Sequence, residues 1–323
     1  MSWILFGIPI GIILLYFGSE WMVDGAKKMA LRLGVTPFAV GLTVVAFGSS
    51  SPEVITSLVS GENPQIILGN IVGSNIANVG LAIGLAAIIS PIVCKFTAIK
   101  FELAAMIFAV VIITVMALTG SLGFVEGAIL LFALAVFIYF VYTLKKKDPD
   151  NTDSEVSEED IEESASTPVW RCVLFVVVGI VALYFGARAF IGGAVELAEI
   201  FGVSDLLIGL LVVAIGVSLP ELCICIVAAY RKENEIVVSN IVGSIVFNCF
   251  FALGVGILFT TVPVTHYTMV FHMPVMILIA ALLLIMVRFN KGVSRSNGAV
   301  LVAIYAIYVS AMVIFPQLTE GII

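Results

Sequence analysis

Two segments, Gly48-Ser49-Ser50-Ser51-Pro52-Glu53 and Gly216-Val217-Ser218-Leu219-Pro220-Glu221, put a glycine, a proline and a carboxylate in the middle of apolar stretches. Proline removes a backbone N–H and clashes with the preceding turn, freeing carbonyl oxygens that in hydrocarbon must find another partner. A bound cation is such a partner. The serines add hydroxyl oxygens, and Glu53 and Glu221 supply charge. An ionisable side chain at bilayer depth is costly, about 3 kcal/mol even on the lenient insertion scales, so two at matching positions mark a functional site. Of the 22 acidic residues, only these two are expected well inside apolar spans.

A second pair follows, Gly69-Asn70-Ile71-Val72-Gly73-Ser74 and Ser239-Asn240-Ile241-Val242-Gly243-Ser244. Their small residues allow helices to approach closely. Asn78 and Asn248 stand four residues beyond Ser74 and Ser244, about one turn on and on the same helix face. They could present amide oxygens to the site; an interhelical hydrogen bond is the other role open to each. Carboxylate, amide, hydroxyl and carbonyl oxygens, with no thiolate or imidazole in the motifs, suit Ca²⁺ and Na⁺ over transition metals. Two carboxylates neutralise one Ca²⁺ or share monovalent cations or protons, so competing ions could use one site.

The elements that hold these motifs are helices in a bilayer. With 61% hydrophobic and 11% charged residues and a mean hydropathy of +1.20, the chain has more apolar surface than a water-soluble domain could bury. Stretches long enough to cross roughly 30 Å of hydrocarbon as helices recur along it. Ten are expected: Trp3–Met22, Phe38–Val59, Ile66–Val93, Ala98–Leu118, Phe124–Leu144, Val169–Ala189, Leu206–Ala229, Ile236–Val262, Val270–Val287 and Ala299–Ile314. The first lacks a basic flank and a small-residue cleavage pattern and is expected to be retained. Alternating the loops puts fourteen Lys and Arg residues on one side and Arg188 alone on the other, which orients the protein with both termini outside.

The sequence repeats itself. At an offset of 168, Leu15-Tyr16-Phe17-Gly18 meets Leu183-Tyr184-Phe185-Gly186 and Pro52-Glu53 meets Pro220-Glu221, with 19 identities in the 42 positions of 12–53. The offset then becomes 170, aligning Asn70–Ser74 with Asn240–Ser244 and Asn78 with Asn248. Five spans per unit reverse the second unit in the membrane, an inverted repeat of the kind that places a site at the midplane and gives two near-mirror conformations. The expected fold is all-α integral membrane, ten transmembrane helices as two inverted five-helix repeats with broken helices 2 and 7. Residues 1–144 form the first repeat (motif 41–84) and 169–323 the second (motif 209–254). Between them, 145–168 carries nine carboxylates against Lys145, Lys146 and Lys147, the composition of a solvated cytoplasmic linker. It lacks the glycine-centred EF-hand loop, and it accounts for most of the net charge of −7. The five cysteines show no metal-site spacing, and they, His266 and His272 are expected to be structural.

The paired motifs resemble the two alpha-repeats of the Na⁺/Ca²⁺ exchanger family of the cation/Ca²⁺ exchanger superfamily, in its prokaryotic ten-helix form, over nearly the whole chain. The resemblance implies an ion-binding core of helices 2, 3, 7 and 8, across which helices 1 and 6 slide. It implies that Glu53 and Glu221 ligate Ca²⁺, that Ser50 and Ser218 serve adjoining Na⁺ positions, and that Ala46, Ser49, Ala214 and Val217 contribute carbonyls. Val217, matching Ser49, loses a hydroxyl but keeps its carbonyl. Asn248 stands where some members have Asp, which leaves two core carboxylates and keeps stoichiometry and K⁺ involvement open.

The expected activity is Ca²⁺/Na⁺ antiport in the cell membrane, with H⁺/Ca²⁺ antiport on the same fold as the alternative and a passive cation channel behind it. A hydrolase using Ser50 or Ser218 would need a base within reach, and the motifs offer no histidine. No enzyme activity, cofactor, nucleic acid or obligate protein partner is expected, only the ions and the lipid bilayer.

Overall fold

The computed structural model describes residues 4–59, 64–144, 167–201, 216 and 218–319. Helices dominate because backbone groups facing lipid must be paired within their own segment. The first, α1, spans Ile4–Leu33. A broken run follows: α2 Pro37–Val40, a π-helical turn Gly41–Val45, α3 Ala46–Ser49 and α4 Ser51–Val59. Next come α5 Gln65–Ala77, a π turn Asn78–Ile83 and α6 Gly84–Ile89, then β1 Ile92–Val93, α7 Phe96–Ala117, β2 Ser121–Leu122 and α8 Phe124–Leu144. The second half holds α9 Val169–Ile200, α10 Leu219–Tyr230, α11 Asn234–Phe247, a π turn Asn248–Ala252, α12 Leu253–Phe259 and β3 Val262–Pro263. It ends with a π turn Thr268–His272, α13 Met273–Asn290, β4 Gly292–Val293, α14 Arg295–Ile314 and a 3₁₀ turn Pro316–Thr319. Among the described residues eight helices are long and apolar enough to cross a membrane, and Pro37–Ser49 and Leu219–Tyr230 are shorter apolar helices.

Burial shows where the core sits. Gln65–Ile89 and Asn234–Phe259 are each 83% buried, against 44% or less for the other six long helices. Those two therefore form the centre, with the others between them and lipid. Helices α1 and α9 pack antiparallel along a seam of glycines. A side chain added at Gly7 would meet the Gly193 backbone, one at Gly18 the Gly179 carbonyl, and one at Gly25 the Cys172 carbonyl. Small residues at such a seam let two backbones approach, where lipid gives no hydrophobic drive for association.

The structure departs from the sequence expectation in the lengths of these two helices. α1 continues to Leu33 and α9 to Ile200, where spans ending at Met22 and Ala189 are expected. The extra turns of α1 carry charges that find partners: Lys28 pairs with Asp24 at 2.9 Å and Lys27 with Glu233 at 2.7 Å, while Arg231 grips both carboxylate oxygens of Glu20. A helix leaving hydrocarbon persists when its polar face is paired.

Two small antiparallel ribbons, two residues a strand, join the helices in an otherwise helical fold. β1 pairs with β4, Ile92 opposite Val293, and β2 with β3, Leu122 opposite Val262. The 170-residue offset carries β1 onto β3, and one further residue carries β2 onto β4, so it exchanges one ribbon for the other. Packing follows the same exchange, α8 lying on α12 and α14 on α6. Phe101 stacks on Phe137 with ring centroids 6.3 Å apart, as Phe271 stacks on Tyr308 at 5.5 Å.

Candidate ion-binding site

Thr36 opens the broken run, its hydroxyl accepting from the Ala39 N–H, with Pro37 at the first helical position. The helix stops at Ser50, whose backbone (φ −83°, ψ 10°) leaves the helical region, and restarts with Ser51 and Pro52, placing Glu53 in the first turn of α4. Ser218 adopts nearly the same backbone (φ −91°, ψ 10°) ahead of α10, whose first turn holds Pro220 and Glu221. Each glutamate thus sits at a helix N-terminus, where the macrodipole favours negative charge. A serine three residues before a glutamate is the capping-box pattern, but the hydroxyls are used otherwise. Ser50 Oγ donates to Glu221 Oε1 at 3.1 Å, across to the other motif, and Ser218 Oγ has no hydrogen-bond partner among the described residues.

Helix α11 seats the first half of this run. A Cβ on Gly243 would lie 2.5 Å from the Leu42 carbonyl and 2.6 Å from Ala46 Cβ, so only glycine allows this approach. Ser49 Oγ consequently reaches Asn240 Oδ1 at 3.3 Å and lies 3.5 Å from Ser244 Oγ. The Ala46 carbonyl accepts from both Ser50 N and Ser49 Oγ, so it could serve an ion once the Ser49 hydroxyl turns away. Ser74 lies beside Glu53 but outside hydrogen-bonding geometry.

Ser49, Ser50, Glu53, Ser74, Asn78, Ser218, Glu221, Ser244 and Asn248 are all 3% exposed or less. Both oxygens of Glu53, Oε2 of Glu221, Oδ1 of Asn78 and of Asn248, and the hydroxyls of Ser74 and Ser218 have no hydrogen-bond partner among the described residues. Buried polar atoms are ordinarily paired. Seven oxygens of six residues with unused lone pairs, two residues carrying charge, fit a hard cation. Ala214 and Val217 lie outside the described residues, as does the linker over 145–166.

Three features escaped the sequence. The π turns begin at Asn78 and Asn248 themselves, at equivalent points of the two units, and such turns often mark functional sites. Asn75 donates to Cys249 Sγ at 3.2 Å and accepts from Asn248 Nδ2 at 3.2 Å; its counterpart under the 170-residue offset is Ile245, so the repeat comparison hides it. Glu102, expected near a span end, is 1% exposed within α7, a third buried carboxylate on a helix without motif residues. Its counterpart His272 binds the Tyr308 hydroxyl and the Leu318 carbonyl. The five cysteines are free thiols.

The model of the sodium/calcium exchanger protein family matches residues 3–143 and 172–314. The chain belongs to this family. Among exchanger relatives, it is 30% identical over 340 residues to the sodium/calcium exchanger MaX1 of Methanosarcina acetivorans, covering 93% of this chain and 95% of that one. It is 34% identical over 305 residues to an uncharacterized membrane protein of Methanocaldococcus jannaschii, covering 94% and 96%. Its fold matches the solved structure of the sodium-calcium exchanger NCX_Mj, soaked with Na⁺ and Ca²⁺, with a TM-score of 0.82 and 29% identity over 97% of this chain and 99% of that one. The segments that this exchanger family shares with the chain contain both motif pairs.

Proposed function

We propose that this multi-pass membrane protein is a secondary active antiporter that exchanges Ca²⁺ for Na⁺ by alternating access. The observation that carries it is the pair Glu53 and Glu221, both fully buried at helix breaks. Ser50 Oγ donates to Glu221, and Ser74, Ser218, Asn78 and Asn248 each hold a buried oxygen without a hydrogen-bond partner among the described residues. Ca²⁺ would be held between the two carboxylates, with the amide oxygens of Asn78 and Asn248 completing its shell. Na⁺ would bind beside it through Ser50, Ser218, Ser74, Ser244 and the carbonyls of Ala46, Ser49, Ala214 and Val217. One set of carboxylates serving both ions makes them competitors, and competition at an occluded site is what couples their movements.

The architecture proposed with this function is ten spans in two inverted repeats, 1–144 and 169–323, joined by a cytoplasmic linker at 145–168, with both termini outside. Support comes from the exchange of ribbons, helix contacts and aromatic stacks under an offset of 170 to 171 residues, and from the basic residues gathered on one side. The partners are Ca²⁺, Na⁺ and the bilayer, with no cofactor. The deciding experiment is Ca²⁺ uptake into proteoliposomes at clamped pH under a Na⁺ gradient. Uptake that follows the Na⁺ gradient supports Ca²⁺/Na⁺ exchange; uptake that follows a proton gradient and ignores Na⁺ overturns it in favour of H⁺/Ca²⁺ exchange, and flux without any counter-ion in favour of a channel.

A further inference from the structure

Asn248 and Asn78 are equivalent under the repeat, yet their surroundings differ. Asn78 has no hydrogen-bond partner among the described residues for either side-chain atom, whereas Asn248 donates from Nδ2 to Asn75 Oδ1 at 3.2 Å and keeps only Oδ1 without one. Asn75 is 1% exposed, and its own amide nitrogen faces Cys249 Sγ at 3.2 Å and Met276 Sδ at 3.7 Å. A thioether sulfur can only accept. The Asn75 nitrogen is therefore turned toward the sulfurs, its oxygen toward Asn248, and the Asn248 nitrogen must answer that oxygen. The offset carries Asn75, Cys249 and Met276 onto Ile245, Val79 and Met106, so the matching pocket of the other repeat cannot orient Asn78 in this way.

We propose that Asn75 is a positioning residue for the transported cation: it fixes the Asn248 amide with its oxygen toward the ion, making Asn248 an oxygen ligand while Asn78 remains free to rotate. This rests on the proposed exchange at Glu53 and Glu221. A fixed amide oxygen adds coordination without charge. An amide free to turn spends part of its time presenting N–H to a cation, which repels it. Asn75 thus makes the neutral side chain at 248 a dependable ligand of Ca²⁺, and it does so from a second row, touching no ion itself.

The test is a double-mutant cycle in proteoliposomes, reading apparent KM for Ca²⁺ and maximal rate separately. Asn75→Leu supplies an apolar side chain of similar size, as Ile245 does in the other repeat, so packing is conserved while the hydrogen bond goes. It is expected to raise the Ca²⁺ KM about tenfold, the scale of one hydrogen bond to a ligand group, with the maximal rate within about twofold of the parent protein. In an Asn248→Ala background the same change should leave KM unmoved, because nothing remains to orient. Asn75→Ala, which asks for no repacking, provides the same cycle should the leucine variant fail to fold. An unchanged KM in the single variant, or an equal rise in both backgrounds, overturns the positioning role while leaving the exchange intact. A parent protein without Na⁺-dependent Ca²⁺ flux overturns the exchange itself, a result the cycle registers before any variant is compared.

Discussion

The Ser50 hydroxyl donates to the Glu221 carboxylate across 3.1 Å, binding the break of one motif helix to the first turn of the other. The bond ties the two motifs directly to each other. Losing this donor leaves a Glu221 oxygen without its partner, so Ser50→Ala should weaken Na⁺ as a competitor of Ca²⁺. The Na⁺ concentration that halves Ca²⁺ uptake is expected to rise severalfold, a change on the order of 1 kcal/mol. Unchanged inhibition by Na⁺ would remove Ser50 from the site.

Glu53→Gln and Glu221→Gln should each abolish Ca²⁺ transport, since either leaves one charge to neutralise a divalent ion. The folded state should survive, because both side chains are buried in the protein and a neutral amide is cheaper to bury than a carboxylate. Transport assays paired with thermal unfolding in detergent check this. Near-parental flux in either variant would refute the site.

Gly243 is a sharper probe of packing than of chemistry. A methyl there would sit 2.5 Å from the Leu42 carbonyl, a backbone atom that cannot swing aside. Gly243→Ala should push the Gly41–Ser49 segment off α11, destabilising the protein by about 1–3 kcal/mol as overpacked cores do. A lowered unfolding temperature with reduced transport is expected, and a variant as stable as its parent would contradict the contact.

Composition placed the chain in the membrane, and the repeated Pro-Glu pairs located the carboxylates, because apolar background makes such residues stand out. What the sequence could not convey was geometry that depends on neighbours distant in the chain. The extension of α1 to Leu33 carries Lys27, whose partner Glu233 lies some 200 positions away. Asn75 acquires its contacts from Cys249 and Met276, and nothing beside it in sequence announces them. The ribbons are two residues a strand, too short for any alternation to register. The π turns at Asn78 and Asn248 arise within helices whose composition reads as regular.

Residues 145–168 carry their charge outside the matched segments 3–143 and 172–314. Replacing Asp148–Ser166 by a Gly/Ser chain of equal length should therefore preserve Na⁺-driven Ca²⁺ uptake, since such a tether still spans the gap between repeats. Loss of transport in a correctly inserted variant would make the segment part of the transport machinery.

Charge at the site sets the electrical character of the cycle. Glu53 and Glu221 are the two carboxylates among the motif residues, and Asn occupies both 78 and 248, so the proposed site would carry −2 with both glutamates ionised. One Ca²⁺ neutralises it, and so do two Na⁺. Carrying bare carboxylates through an occluded, low-dielectric state is expensive, so the empty protein should switch access rarely and leak little. A third Na⁺ would have to bind through neutral oxygens, of which Ser74, Ser218 and Asn78 each hold one without a hydrogen-bond partner among the described residues. Three Na⁺ against one Ca²⁺ moves a net charge each cycle, and two against one moves none. The three-to-one cycle is the expected outcome. Its check is the reversal point of Ca²⁺ flux in proteoliposomes at fixed ion gradients and several clamped potentials. At three to one the reversal point shifts with voltage by one charge per cycle, whereas a reversal point independent of voltage would establish the electroneutral exchange and leave the additional neutral oxygens to Ca²⁺ alone.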